Sequence, residues 1–332
     1  MRLLARILVG VTLLVALAIV GGFAYLQIRL ARGIEETDRV YRESAPARLA
    51  DLGSTRSLSI LPLVDWHTSR PDLRGEAGVS YLIRTDSNTI LFDVGFNRQN
   101  ADPSPLQHNM DALGIGAGDF DTVVISHNHP DHVGGMGWAR RGSFSLGPEQ
   151  IDLTGKRAFT PVPMSYPGIT PVHSPDSTAL GEGVATTGTI PRQLFIGRVE
   201  EQALAVNVRD KGVVLIVGCG HQTLPRILER ASAIFSEPIY GLIGGLHYPV
   251  PEGRGRLLGL DVQRLLASGE GPFDPLTEAQ VRAEIEQLKQ HSPGLVGLSG
   301  HDSSDPVIEW FREAFGPAHR DVRVGEWIEI GG

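Results

Sequence analysis

One short segment constrains this chain more than any other, the stretch Ser-His-Asn-His-Pro-Asp-His-Val-Gly-Gly at residues 126–135. It places four potential metal ligands in six consecutive positions: His127, His129, Asp131 and His132. Residues 121–125, Asp-Thr-Val-Val-Ile, precede it and are typical of a buried strand. In an extended backbone, residues two apart point the same way, so the first two histidines can face one metal ion. Pro130 then bends the chain, which lets the aspartate and the last histidine face a second ion.

Imidazole nitrogens and carboxylate oxygens are usual ligands of zinc, and two such ions about 3.5–4 Å apart make a hydrolytic site. A histidine-rich surface loop is the alternative interpretation. It is less favoured, because scattered histidines rarely take this spacing directly after a buried strand. Gly134 and Gly135 follow and let the backbone pass close to the metals. The segment therefore predicts a metal site where a strand ends.

This segment resembles the metal-binding signature of the metallo-β-lactamase superfamily. Upstream, residues 89–95 (Thr-Ile-Leu-Phe-Asp-Val-Gly) are similar to the superfamily's strand that ends in an Asp-x-Gly turn. Five further segments resemble one branch, the dihydropterin ribofuranosylaminobenzene phosphate synthase-like proteins: residues 187–192, 201–204, 218–221, 243–247 and 299–301. The resemblance runs from about Ser57 to the C-terminus. It implies an α/β fold, the αββα four-layer sandwich, with the site at the loop ends of the sheets.

The resemblance also implies roles for single residues. His301 resembles the superfamily's last histidine ligand, and Asp93 resembles an aspartate that orients the metal-binding loop without binding metal. Cys219 stands roughly where the superfamily has an aspartate that bridges two metals, and His221 follows as a further ligand. A thiolate can bind zinc, but an inert buried cysteine is an equal alternative. His247 is interpreted as a proton donor to the leaving group or as a substrate contact.

Six side chains are therefore the predicted metal ligands: His127, His129, Asp131, His132, His221 and His301. Zinc is the predicted metal, as one or two ions, with manganese or iron as alternatives. Asp131 and His247 are the predicted catalytic residues, and Asp93 and Cys219 are expected to support the ligands from behind. Thr189 departs from the branch, which has an acidic residue there, and this argues against the branch's own reaction.

The N-terminus carries a separate signal. Residues 7–28 contain no charged residue and are long enough to span the roughly 30 Å hydrocarbon core as a helix. A cleaved signal peptide is the alternative, but its apolar region is shorter and ends in a cleavage site. We predict a membrane anchor at residues 1–32, a polar stalk at 33–56 and a catalytic domain at 57–332, exported to the periplasm.

The composition limits the classes of molecule that the protein is expected to bind. The net charge of −8 argues against nucleic acid, so a small-molecule substrate is expected. The chain has a single cysteine, which excludes an intrachain disulfide. Two Gly- and Pro-rich segments, residues 136–191 and 246–275, are expected to be loop insertions, the first shaping the substrate entrance. Local signals also predict a helix capped by Ser104, a second capped by Thr277, and a last strand at 322–330.

The predicted function is a metal-dependent hydrolase that uses a metal-activated water on an ester, lactone, amide or phosphoester. Two alternatives stay open. One is a transferase of the pterin-synthase type, whose cytoplasmic pathway fits an exported domain poorly. The other is a non-catalytic membrane-bound sensor module, against which the complete set of four ligands argues.

Overall fold

Two β-sheets form the centre of the computed structural model, which describes residues 2–331. The first sheet has seven strands: β1 (Ser57–Val64), β2 (Ser80–Thr85), β3 (Thr89–Phe92), β4 (Thr122–Val124), β5 (Arg157–Thr160), β6 (Val172–His173) and β17 (Ile328–Gly331). Their spatial order is β17-β1-β2-β3-β4-β5-β6. The second sheet has six strands: β7 (Thr178–Gly181), β8 (Val184–Thr186), β11 (Leu204–Val208), β12 (Gly212–Val217), β13 (Ile239–Gly244) and β16 (Leu295–Leu298). Their order is β16-β13-β12-β11-β8-β7.

Helices cover the outer faces of both sheets. Seven α-helices are present: α1 (Arg2–Glu43), α2 (Pro105–Leu113), α3 (Met136–Arg141), α4 (Leu224–Ile234), α5 (Val262–Ala267), α6 (Glu278–Lys289) and α7 (Asp305–Phe315). The central core joins both sheets through side chains such as Ile60 and Val214, whereas outer cores join α2 to the first sheet and α4, α6 and α7 to the second. The αββα sandwich predicted above is confirmed.

Parallel pairing explains where polar side chains collect. Strand β3 pairs in parallel with β4 in the first sheet. In the second sheet, β13 pairs in parallel with β12 on one side and with β16 on the other. Since the carboxyl ends of parallel strands meet at one edge of a sheet, the residues that follow these strands share that edge. They are Asp93 after β3, the histidine segment after β4, Cys219 after β12, His247 after β13 and His301 after β16.

Locally specified elements match the sequence best. Ser104 caps α2, and Thr277 caps α6 in a capping box with Gln280, as predicted. Ser104 also forms a capping box with Gln107, which was not predicted. The last strand is shorter than predicted, since only Ile328–Gly331 pairs with β1. The expectation of loops at 136–191 was wrong. That segment contains α3, adds β5 and β6 to the first sheet and β7 and β8 to the second, and begins the hairpin β9 (Ile190–Leu194) with β10 (Gly197–Glu201).

Helix α1 is unbroken from Arg2 to Glu43, and it is the one helix within residues 2–331 that is long and apolar enough to cross a membrane. The most apolar 18-residue stretch of this helix is fully exposed. Its last third packs on the sandwich: Arg226 lies 2.5 Å from Asp38, and the Tyr41 hydroxyl donates to Glu229 at 2.7 Å. The segment after residue 32 was expected to be a partly helical stalk, and it begins as a continuation of this helix that contacts the sandwich.

Candidate metal centre

The histidine segment folds back on itself directly after β4. The rings of His127 and His129 lie 4.6 Å apart between centroids, and those of His127 and His132 lie 4.1 Å apart. His221 joins them from the second sheet, with its ring 5.1 Å from His127 and 4.9 Å from His129. The structure thus brings residues from both sheets into one cluster at their shared edge.

Cys219 lies at the centre of this cluster. Its Sγ is 3.1 Å from His132 Nε2 and 3.2 Å from His301 Nε2. Two sets of potential ligand atoms share it, each with all atoms within 4.8 Å of one another. The first set is His127, Cys219 and His221, and the second is Asp131, His132, Cys219 and His301. All six predicted ligands therefore lie around this cysteine, with His129 joining through its ring contacts.

Hydrogen bonds at Nδ1 leave three histidines with Nε2 directed to the centre. His127 Nδ1 contacts Ser126 Oγ at 2.9 Å, His132 Nδ1 contacts Asp93 at 2.7 Å, and His301 Nδ1 contacts Ser299 Oγ at 2.6 Å. A metal-binding histidine is usually held in this way, with its second nitrogen on a neighbouring oxygen.

The donor set fits a cation. Among residues 2–331, His127 Nε2 and both ring nitrogens of His221 and of His247 are buried without a hydrogen-bond partner. Buried polar atoms are rarely left without a partner, and a bound metal would satisfy His127 Nε2 and one ring nitrogen of His221. Burial also lowers the pKa of His127, His129, His221 and His301, so these imidazoles are neutral near pH 7. Neutral imidazole is the form that binds metal.

Asp93 lies behind the second set of ligands. Its carboxylate accepts hydrogen bonds from the Ser126 backbone N–H and hydroxyl, both at 2.7 Å, and contacts His132. Burial alone would lower the pKa of His132, but Asp93 and Asp131 outweigh it and raise the value to about 9. These contacts suit an aspartate that orients a ligand.

Glu201 was not predicted as a site residue, although it lies fully buried beneath the centre. Its carboxylate accepts the backbone N–H groups of Cys219 at 2.9 Å, Gly220 at 2.8 Å and His221 at 2.8 Å. It therefore holds the turn that presents the central cysteine and one histidine. The only signal in the sequence was its place in the segment 201–204 that resembles the branch.

Asp65 was also missed, and it supports the loop of His301. It accepts hydrogen bonds from the Ser299 hydroxyl at 2.6 Å and the Gly300 N–H at 3.0 Å. Tyr81 donates to it at 2.8 Å. Its position directly after the apolar strand β1 was an available signal, since strand ends form this edge of the sandwich.

His247 lies beside the ligands, in a left-handed backbone conformation with φ of 51°. Asp302 Oδ2 accepts its backbone N–H at 2.9 Å and lies 3.8 Å from its Nδ1. Burial lowers the pKa of His247 to about 4. Cys219, His247 and Asp302 also form a third set of close potential ligand atoms.

The centre opens into a cavity of about 350 Å³. Its wall includes six of the residues described above: His129, Asp131, Cys219, His221, His247 and His301. Apolar side chains supply much of the remainder, among them Trp66, Phe96 and Ile196. Asp131 is the predicted ligand with a carboxylate partly open to solvent, at 27% exposure. The arrangement is an imidazole-lined floor beneath a largely apolar cavity.

This fold and site define a protein with the metallo-β-lactamase fold and a candidate metal centre at the sheet edge. The family model described as the metallo-β-lactamase superfamily matches residues 73–223, a range that includes the histidine segment, Cys219 and His221. Residues 73–223 thus match the metallo-β-lactamase superfamily, and the sandwich as a whole has its fold.

Known proteins are similar to it at low identity. The 7,8-dihydropterin-6-methyl-4-(β-D-ribofuranosyl)-aminobenzene-5'-phosphate synthase of Methanocaldococcus jannaschii is 23% identical over 241 residues, which is 60% of this chain and 80% of that protein. Among solved structures, Tm1679, a metal-dependent hydrolase of the β-lactamase superfamily, has a TM-score of 0.56 at 19% identity. YhfI from Bacillus subtilis, a metallo-β-lactamase fold protein, has 0.51 at 12%. Each comparison covers 83% of this chain and 100% of the solved one.

Proposed function

We propose that this chain is a membrane-anchored zinc hydrolase that cleaves an ester, lactone, amide or phosphoester of a small molecule. The observation that carries the proposal is the ring of buried histidines around Cys219, in which, among the described residues, His127 and His221 have buried nitrogens without a hydrogen-bond partner. A non-catalytic sensor has no need for such a set, or for the cavity above it.

The donors divide into two sites. His127, His129 and His221 would hold one ion, and Asp131, His132 and His301 would hold the other. Cys219 would lie between them as a thiolate, and this ligand favours zinc over manganese. When bound, zinc supplies Lewis acidity that polarises a substrate oxygen and lowers the pKa of water toward neutrality.

The chain's own residues position this centre and its substrate. Asp93 and Glu201 hold the ligands from behind through hydrogen bonds. Asp131 presents a partly open carboxylate to the cavity, where it can orient water. His247 is neutral near pH 7 because burial lowers its pKa, so we assign it a hydrogen bond to substrate or leaving group in preference to proton donation.

Metal analysis of the full chain in detergent, combined with ester, lactone and phosphoester substrates, tests the proposal. We expect up to two zinc ions per chain and turnover that is lost with a chelator and restored by zinc. His291→Ala, a histidine beyond α6 and outside the cluster, is the matched control for ligand variants. Full turnover by a metal-free chain would refute the hydrolase proposal.

The anchor and its orientation form a separate part of the proposal. The uncharged run at residues 7–28 of helix α1 supports membrane attachment, and we propose that the sandwich lies on the periplasmic side. The chain should stay with membranes through a carbonate wash, and protease added to spheroplasts should digest the sandwich. Protection from that protease would favour the transferase alternative, whose substrates are cytosolic. The similarity to the Methanocaldococcus jannaschii synthase over 80% of its length is the observation that supports this alternative.

A further inference from the structure

Large apolar side chains are exposed at Ile196 in the cavity wall and in the insertion that contributes Gln263 and Ala267 to the same wall. We name five of them the apolar rim: Ile196, Leu257, Leu258, Leu260 and Phe273. Leu258 is 96% exposed and Phe273 is 76% exposed. Four of the five lie in the insertion that follows β13, which contains the hairpin of β14 (Arg256–Leu257) and β15 (Leu260–Asp261). An exposed apolar surface of this kind marks a contact with a protein or a membrane.

Helix α1 sets the depth of this insertion. The ring of Phe273 meets the ring of Phe23 edge to face, with centroids 5.3 Å apart. Phe23 lies five residues inside the end of the uncharged run at Ile28, which at about 1.5 Å per residue is roughly 7.5 Å. Leu30 packs so closely on Gly271 that a Cβ there would lie 2.6 Å from its methyl group. If α1 spans the bilayer, Phe273 is therefore at the level of the acyl chains.

The tip of the hairpin is unusual for a turn in water. Leu258 has φ of 50° and Gly259 has φ of 83°, and paired positive values are typical of a two-residue turn that favours Asn-Gly. A leucine there is strained, and it is almost fully exposed. Neither folding nor contact with water explains a leucine at position 258, whereas contact with an apolar medium does.

One member of the apolar rim lines the cavity, and the insertion that carries the other four contributes to the same wall. Ile196 lies in the cavity wall together with Gln263 and Ala267 of α5, and its backbone N–H donates to Leu266 at 3.3 Å. Residues 250–275 carry three arginines and four acidic residues. These residues give no excess of positive charge, so attraction to anionic lipid does not explain the exposed leucines. Burial of their apolar surface is then the driving force for membrane contact.

We propose that the apolar rim lies in the same bilayer as α1, so that the cavity opens at the membrane interface and takes amphiphilic substrates that leave an acyl chain in the lipid. This rests on the proposed function for its chemistry, but the lipid contact stands on the geometry of α1 and the insertion. A cavity that opened to water would instead admit soluble esters without preference for a long acyl chain.

Fluorescence quenching in phosphatidylcholine vesicles tests the lipid contact without any turnover. The full chain is labelled with an environment-sensitive dye at Leu258→Cys or Phe273→Cys, and Ser87→Cys in the distant β2–β3 turn is the control. The native Cys219 is 2% exposed, and the unsubstituted chain reports its labelling. We expect brominated acyl chains to quench both rim labels and to leave the Ser87 position unchanged. Quenching at neither position, or at Phe273 alone, would overturn the proposal, because α1 by itself can carry Phe273 to the lipid.

Crosslinking tests the substrate class. Phosphatidylcholine that carries a diazirine beside its ester carbonyl is photolysed in vesicles that contain the full chain. We expect crosslinks at the cavity wall, at Trp66 or Ile196, which weaken severalfold in Leu258→Ser. Crosslinks confined to α1 would exclude an amphiphilic substrate. Since neither measurement depends on turnover, an inactive chain would count against the hydrolase proposal and leave the lipid contact standing.

Discussion

Glu201→Gln offers the sharpest test of how the centre is held. The substitution keeps the shape of the side chain and replaces one carboxylate oxygen with an NH₂ group. Glu201 Oε1 accepts two N–H groups, from Cys219 and Gly220, and Oε2 accepts one, from His221. The glutamine oxygen is expected to accept the N–H groups of Cys219 and Gly220, which leaves its NH₂ group facing the His221 N–H. The opposite orientation would leave two N–H donors without an acceptor.

The magnitude follows from one lost hydrogen bond. A buried donor left without an acceptor costs about 1–3 kcal/mol, and the free energy of unfolding should fall by that amount. The same change shifts Cys219 and His221 relative to the other ligands. Removing an outer partner of a metal ligand typically lowers metal affinity by about 10–100-fold, equivalent to about 1.4–2.8 kcal/mol. The two measurements report separate losses, each expected in the range of about 1–3 kcal/mol.

Competition with a chelator measures the affinity for zinc. Urea unfolding at pH 5, where the raised pKa keeps Glu201 protonated, measures the stability of the metal-free chain. Glu200→Gln is the matched control, because that carboxylate is partly exposed and pairs with Arg198 at 2.8 Å. It should change stability by less than about 0.5 kcal/mol. Zinc affinity within twofold of the native chain in Glu201→Gln would refute the view that this carboxylate sets the ligand turn.

Three further predictions follow from the same site. His129→Ala should lower bound zinc and abolish activity while circular dichroism stays unchanged, whereas His291→Ala should leave both intact; full zinc and native turnover in the first variant would contradict the ligand assignment. Cys219→Ser should weaken one of the two zinc ions and Cys219→Asp should restore it, but if zinc titration of Cys219→Ala gives the native stoichiometry, the cysteine is only a buried side chain. Burial raises the pKa of Glu201 from its ordinary 4.5 to about 7, so its stabilising contribution is complete below pH 4.5 and is lost as the pH rises through 7. The difference in unfolding free energy between the metal-free native chain and Glu201→Gln should therefore grow from pH 8 to pH 5. A difference that does not change with pH would contradict this prediction.

Parts of the fold with local signals were predictable. The capping boxes of α2 and α6 need only four residues each, and the strands β11 and β16 are apolar runs bounded by polar or glycine-containing turns. Strands β5 to β8 are two to four residues long, which is too short to show a period. Their hydrogen bonds to β4 and β11 define them, so no local pattern in the sequence could identify them.

The site divides in the same way. The ligands of the histidine segment are close in sequence, so their spacing alone predicts a shared metal. Glu201 and Asp65 act through backbone N–H groups of turns 18 and 235 residues away in the chain. A turn's N–H groups carry no side-chain signature, and their partner can be any buried carboxylate. Such residues become visible only when the fold brings the turn and the carboxylate together.

The docking of α1 was equally invisible in the sequence, yet it links the anchor to the cavity. Asp38 and Tyr41 bind α4 through Arg226 and Glu229, and Gly33 lies so close to Gln193 of β9 that a Cβ there would meet its side chain at 2.5 Å. Strand β9 leads directly to Ile196 in the cavity wall. The contacts that hold the helix therefore also set which way the mouth faces relative to it. A free stalk would have left that direction undefined, whereas the docked helix fixes it, and the proposed lipid contact of the apolar rim depends on this.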